Sequence, residues 1–169
     1  SFHHINYPAL LTLLDSSGQR RGEYVHSGHI CSIATADLDG DGHREILASG
    51  INNGYEKGVL AVLDCRAVAG ASPQPDTPEY QCLDVPQGQE LGYLLLPRDC
   101  VNRLTEPYGT AAGIQLLPNE IRIGTGFVLL PPCRQGGGLT FRLDRQFRLR
   151  GVDADDGYPA YHRCLEEQG

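Results

Sequence analysis

The sequence predicts a mainly β fold of short antiparallel hairpins followed by a short C-terminal helix, and three observations carry that expectation. Apolar residues recur at every second position or in brief β-branched runs, without the 3.6-residue stripe of an amphipathic helix. With 21 Gly and 11 Pro among 169 residues, turn signals interrupt the chain too often for long helices. Several of the apolar runs face each other across a few turn residues, as the arms of a hairpin do.

Taken in order, residues 10–15 (LLTLLD) and 19–25 (QRRGEYV) form the first hairpin, with Gly18 in a left-handed position of the turn. Residues 32–36 (SIATA) and 46–49 (ILAS) read as two short buried strands flanking an acidic loop, and 59–64 (VLAVLD) as the strand after them. The Pro-rich stretch 71–78 (ASPQPDTP) is a loop. A strand over 91–96 is closed by Pro97. Residues 112–117 and 120–124, joined by Pro118-Asn119, alternate apolar and polar as a half-buried hairpin should. A run at 128–130 stops at Pro131-Pro132, and 140–150 (TFRLDRQFRLR) is the last hairpin. Only 98–104 and 158–167 read as helical, the latter entered through Pro159. An internal echo runs through these pieces: Asp15, Asp64 and Asp144 each follow an apolar strand directly, at spacings too unequal for a constant period.

The length suits a single domain that buries roughly 70% of its unfolded surface, so a metal is not needed merely to create a core. The balance is acidic, with 21 Asp and Glu against 14 Lys and Arg, and no basic run appears. Nucleic acid and anionic membrane are therefore poor candidate partners. No apolar run is long enough to span a bilayer, and with no methionine and Ser1 at its start the chain reads as a mature or excised soluble piece. Cys31, Cys65, Cys82, Cys100, Cys133 and Cys164 are widely spread with no C-x-x-C, which argues against a zinc knuckle and for disulfides outside the cytoplasm. Cys65–Cys82 is the bridge we expect, because it would staple the Pro-rich loop and add ~3 kcal/mol in the chain-entropy description.

The chemistry concentrates at 37–45 (DLDGDGHRE), where carboxylates occupy alternate positions of a loop containing two glycines. Hard cations take oxygen ligands, and four carboxylates this close repel one another by ~1 kcal/mol per pair in a water-like dielectric, a cost that an ion offsets. An EF-hand is excluded, because the twelfth position, where its bidentate Glu would stand, is Ala48. The last acid is instead the ninth, Glu45, and strands rather than helices flank the loop.

At this point residues 37–46, DLDGDGHREI, resemble the D-x-D-G-D-G-x-x-(D/E)-(I/L) signature of the FG-GAP/VCBS calcium-binding β-hairpin repeat, found in the blades of integrin-like propellers. The likeness covers about residues 30–64 and one such loop. It implies Ca²⁺ held by the side chains of Asp37, Asp39, Asp41 and Glu45 and by the backbone carbonyl of His43. It also implies an irregular or partial β-propeller-like arrangement of the hairpins, a compact β-sandwich being the alternative architecture.

Other clusters carry less. Glu23, His26, His29 and Cys31 offer zinc-type donors, but structural zinc sites use paired motifs and no second half is present, so surface or hydrogen-bonding histidines are the expectation. The second acidic cluster, from Asp153 to Gly157, has Tyr161 at its ninth position and reads as a solvated loop capping the last helix. Gly136, Gly137 and Gly138 lack the Lys-Ser/Thr of a phosphate loop. No nucleophile signature occurs, and carboxylates that share a calcium ion stay ionised and shuttle protons poorly. The reading is one extracytoplasmic β domain over 1–169, non-catalytic, in which Ca²⁺ stiffens a hairpin that serves binding or sensing of an unidentified protein or carbohydrate. The alternatives are a polysaccharide-active hydrolase or lyase with a structural calcium, and an adhesive repeat fragment of a longer propeller.

Overall fold

A computed structural model of the chain describes residues 8–55, 57–75, 90–96, 110–126 and 139–154. Its strands are β1 (Ala9–Leu14), β2 (Arg20–His26), β3 (Ile30–Ala36), β4 (Glu45–Asn52), β5 (Lys57–Asp64), β6 (Glu90–Leu95), β7 (Thr110–Leu117), β8 (Glu120–Gly126), β9 (Leu139–Leu143) and β10 (Leu149–Ala154). The mainly β expectation holds: the described residues form antiparallel sheets and contain no helix. The two expected helices, the run at 128–130 and Gly136–138 lie outside the described residues.

The strands assemble as a hairpin, β1-β2, and two four-stranded sheets in the orders β3-β4-β5-β6 and β10-β9-β8-β7. Each four-stranded sheet is a meander in which every strand pairs antiparallel with its sequence neighbour. Among the described residues these sheets do not close into a ring or propeller.

Alternation of side chains along each strand explains how the sheets stack, since residues two apart share a face. From the β3–β6 sheet, Leu47, Leu60 and Val62 point one way and form a cluster with Ile121, Ile123, Phe141 and Leu143 of the β7–β10 sheet. Ile46, Ala48 and Leu63 point the other way and pack against Leu11 and Tyr24 of the hairpin. The β3–β6 sheet is therefore the middle of three layers. Its central strands β4 and β5 are buried along almost their whole length, which is why they read as continuous apolar runs. Each fully buried Leu, Ile or Phe contributes ~1.5–3 kcal/mol, so these two clusters dominate the hydrophobic stabilisation.

Two expectations are corrected here. Residues 32–36 do not form a buried strand: β3 alternates half-buried and exposed, and Ile33 is 56% exposed, because β3 is an edge strand. Asp153 does not belong to a loop: it lies in β10 opposite Thr140, with its carboxylate 2.7 Å from the Arg142 guanidinium. A strand partner and a nearby cation won over turn propensity at that position.

Candidate metal centre

The 37–45 loop joins β3 to β4, and its ends are fixed by the antiparallel pair Ala36↔Glu45. Two glycines let it turn within so few residues. Gly40 and Gly42 have φ of 82° and 84°, in the left-handed region where a Cβ costs ~1–2 kcal/mol although space around both is open.

Within that turn the acidic side chains cap backbone N–H groups. Asp37 accepts from Gly40 N–H at 2.7 Å and from Gly42 N–H at 3.1 Å. Asp39 accepts from Asp41 N–H at 3.1 Å, and Asp41 from His43 N–H at 2.8 Å. Glu45, the first residue of β4, is only 3% exposed and accepts the Leu38 N–H at 2.6 Å. The buried carboxylate thus ties the entrance of the loop to its exit.

These contacts gather three of the carboxylates. One oxygen each from Asp37, Asp39 and Glu45 lies within 4.8 Å of the other two. Ca²⁺–oxygen distances of ~2.3–2.6 Å separate two ligands of one ion by at most ~5 Å, so the pairwise spacing of the triad is in the range that a single Ca²⁺ spans. Two of the three residues are exposed, which leaves room for water ligands.

Asp41 stands apart from the triad. Its carboxylate faces Arg66, with Nη1 2.9 Å from Oδ2, and the His43 N–H together with that guanidinium holds its pKa below the ordinary value. Arg66 also clamps Asp64 at 2.6 Å, bringing the Asp64 carboxyl down to about 2. Asp64 is the direct cross-strand partner of Glu45, so one cation bridges the loop and the far end of β5. His43 is exposed and contributes its N–H to Asp41.

The loop is also anchored to the neighbouring sheet. Leu38 packs against the cluster between the two four-stranded sheets. Arg145, from the β9–β10 turn, donates to the Asp37 carbonyl at 3.3 Å and to the Pro118 carbonyl at 2.9 Å. Arg66, Leu38 and Arg145 carry no motif signal, since their roles depend on which strand ends the fold brings side by side.

The other donor set disperses. His26 is buried at 1% exposure, with Nδ1 3.3 Å from the Gly28 carbonyl and Nε2 3.2 Å from the Tyr93 hydroxyl. The same hydroxyl accepts from Asn52 at 2.7 Å, and a neutral imidazole with its proton on Nδ1 would donate to the Gly28 carbonyl and accept the Tyr93 O–H at Nε2. Burial pushes its pKa below the usual value. His29 and Cys31 are exposed and Glu23 pairs with Arg20, so among the described residues these four form no metal cluster. The half-buried Cys65 has a free thiol, no disulfide occurs among the described residues, and Cys82 lies outside them.

No protein-family pattern matches this chain, and neither curated proteins nor solved structures give a match.

Proposed function

We propose that the chain is a calcium-binding, non-catalytic interaction or sensing domain that works outside the cytoplasm, where the free Ca²⁺ concentration suits a loop of this kind. The observation that carries this reading is the convergence of Asp37, Asp39 and Glu45 within 4.8 Å, one of them almost wholly buried. A buried carboxylate beside two others is electrostatically unfavourable, and a divalent cation converts that repulsion into attraction.

Asp37, Asp39 and Glu45 would hold the ion, with the His43 carbonyl and water completing an oxygen shell. Asp41, occupied by Arg66, modulates the site from outside. The bound ion would supply charge neutralisation and no reaction chemistry. Its effect on the fold follows from the anchors: fixing the loop fixes Leu38 and the Asp37 carbonyl, and through them the seam between the two four-stranded sheets. We read the architecture as a short, open run of blade-like sheets, supported by consecutive meanders stacked face to face. The partner is a protein or a carbohydrate, and calcium would govern it by stiffening the surface that meets it.

Isothermal titration with CaCl₂ tests the reading. One site is expected in the natural chain and none after Asp39→Ala, which removes a ligand from an exposed position and leaves the buried Glu45–Leu38 contact in place. Equal heats from both proteins would reject the ligand set.

A further inference from the structure

The turns at Asp15 and Asp144 are the same turn. Asp15 N–H donates to the Gln19 carbonyl and its own carbonyl accepts the Gly18 N–H, both at 2.9 Å; Asp144 does the same with Arg148 and Phe147, both at 3.0 Å. In each, Oδ1 accepts the N–H groups two and four residues on, and an Arg six residues on pairs with Oδ2. The residue three positions on has positive φ in both, 81° at Gly18 and 60° at Phe147. The β1-β2 hairpin is thus equivalent to β9-β10, the third and fourth strands of a four-stranded sheet.

Equivalence extends to the faces. Aligned on Asp64 and Asp144, Leu63 corresponds to Leu143, and the face that the β7–β10 sheet turns to its predecessor matches the face that the β3–β6 sheet turns to the hairpin. Aligned on Asp15, the hairpin's corresponding face carries Leu10, Thr12 and Leu14. Among the described residues nothing covers that face: Leu10 is 58% and Leu14 55% exposed, with half-buried Val25 opposite Leu10. At the other end of the stack the outer face of the β7–β10 sheet carries the ion network of Glu120, Arg122, Arg142 and Asp153. Seating that charged end of a second copy on Leu10 and Leu14 would bury ions against apolar surface, so a head-to-tail dimer does not fit.

We infer that the outer face of β1-β2 is a docking surface for a further four-stranded sheet of the β3–β6 kind, seated through an apolar face equivalent to Leu47, Leu60 and Val62. It continues the two interfaces already present in the stack, each of which sets one sheet's Leu11- or Leu60-type face on the next sheet's Leu63- or Leu143-type face.

An extended chain tests this, with a second copy of residues 30–126 placed ahead of residue 8. The copy supplies the apolar sheet, and its β7-β8 takes beside β1 the position that β8 has beside β9. In the natural chain Leu10→Ser/Leu14→Ser is expected to shift Tm by no more than about 2 °C, as exposed substitutions do; in the extended chain the same pair should lower it by about 5 °C or more. Equal small shifts in both chains, an equally large shift in the natural chain, or an extended chain that does not melt cooperatively would each overturn the proposal.

Discussion

Glu45 and Asp39 have the same charge but different duties, and their substitutions separate metal binding from folding. Glu45 is buried and satisfies the Leu38 N–H, so Glu45→Ala leaves a half-buried donor without its partner and should cost ~1 kcal/mol even in EDTA. Asp39→Ala should leave the EDTA-state melt nearly unchanged while removing the calcium response. Chemical denaturation with and without calcium reads both quantities, and a loss of basal stability at Asp39 matching that at Glu45 would contradict this division.

His26 predicts a pH dependence of a definite sign. Its pKa is lowered by burial, so below the ordinary value of 6.5 the unfolded chain binds more protons than the folded one. Its contribution is fully present above that value and is lost as pH falls through 6.5 towards the lower folded pKa. The groups facing it are the Tyr93 hydroxyl, whose own pKa is pushed up to about 12 mainly by burial, with Asn52 beyond it, and the Tyr24 ring, whose hydroxyl donates to the Glu90 carboxylate; neither tyrosine nor Asn52 carries charge in this range. Asp64 and Asp144, both brought down to about 2, act in a separate window, losing their contribution only as pH falls from about 4 towards 2. Denaturation midpoints between pH 7 and 5 should fall in the natural chain and flatten in His26→Gln. An unchanged slope in that variant would exclude His26 as the source.

At the scale of elements, the loop and its anchors behave as one unit. Gly40→Ala and Gly42→Ala meet no steric contact but force φ values of 82° and 84° on a residue with a Cβ, so each should cost ~1–2 kcal/mol and weaken calcium binding with it. Arg145→Ala removes the link from the β9–β10 turn to the Asp37 carbonyl, and should lower calcium affinity although Arg145 touches no carboxylate of the triad. A titration in which Arg145→Ala binds as the natural chain does would show that the seam between sheets plays no part.

This is also the scale at which the sequence was most readable. The β1-β2 hairpin follows from two strand-like runs around Gly18 and β7-β8 from alternation around Pro118-Asn119, signals local enough to survive without tertiary context. That Asp37, Asp39 and Glu45 come together was readable from spacing, because the hairpin ends and two glycines leave few ways to arrange nine residues. The pairing of Asp41 with Arg66, which reaches it from beyond the end of β5, was not. Edge position misled in the same way: β3 has the β-branched composition of a buried strand, yet among the described residues it is the edge of its sheet and Ile33 is 56% exposed.

For the molecule as a whole, stacking gives the loop its leverage. The β3–β6 sheet is buried on both faces, and the acidic loop projects from the end of its first hairpin against the seam with the β7–β10 sheet. Truncating the centre of that seam, as in Phe141→Ala, should cost ~3–5 kcal/mol, since the ring is fully buried there. A loss below about 1 kcal/mol in equilibrium denaturation would mean that the two sheets are not packed as described. The stacking order was not legible from composition, because the echo of Asp15, Asp64 and Asp144 is unevenly spaced. It emerges from the two hydrophobic clusters on opposite faces of the β3–β6 sheet.

Calcium is the centre of the account, and the melting temperature of the intact chain in EDTA and in rising CaCl₂ tests it most directly. A ligand that binds only the folded state adds ~2.7 kcal/mol at a hundredfold excess over its dissociation constant, which for a chain of this length raises Tm by roughly 5–11 °C. The account predicts that rise, its reversal by EDTA, and its absence in Asp39→Ala. A melting temperature indifferent to calcium in the natural chain would contradict it.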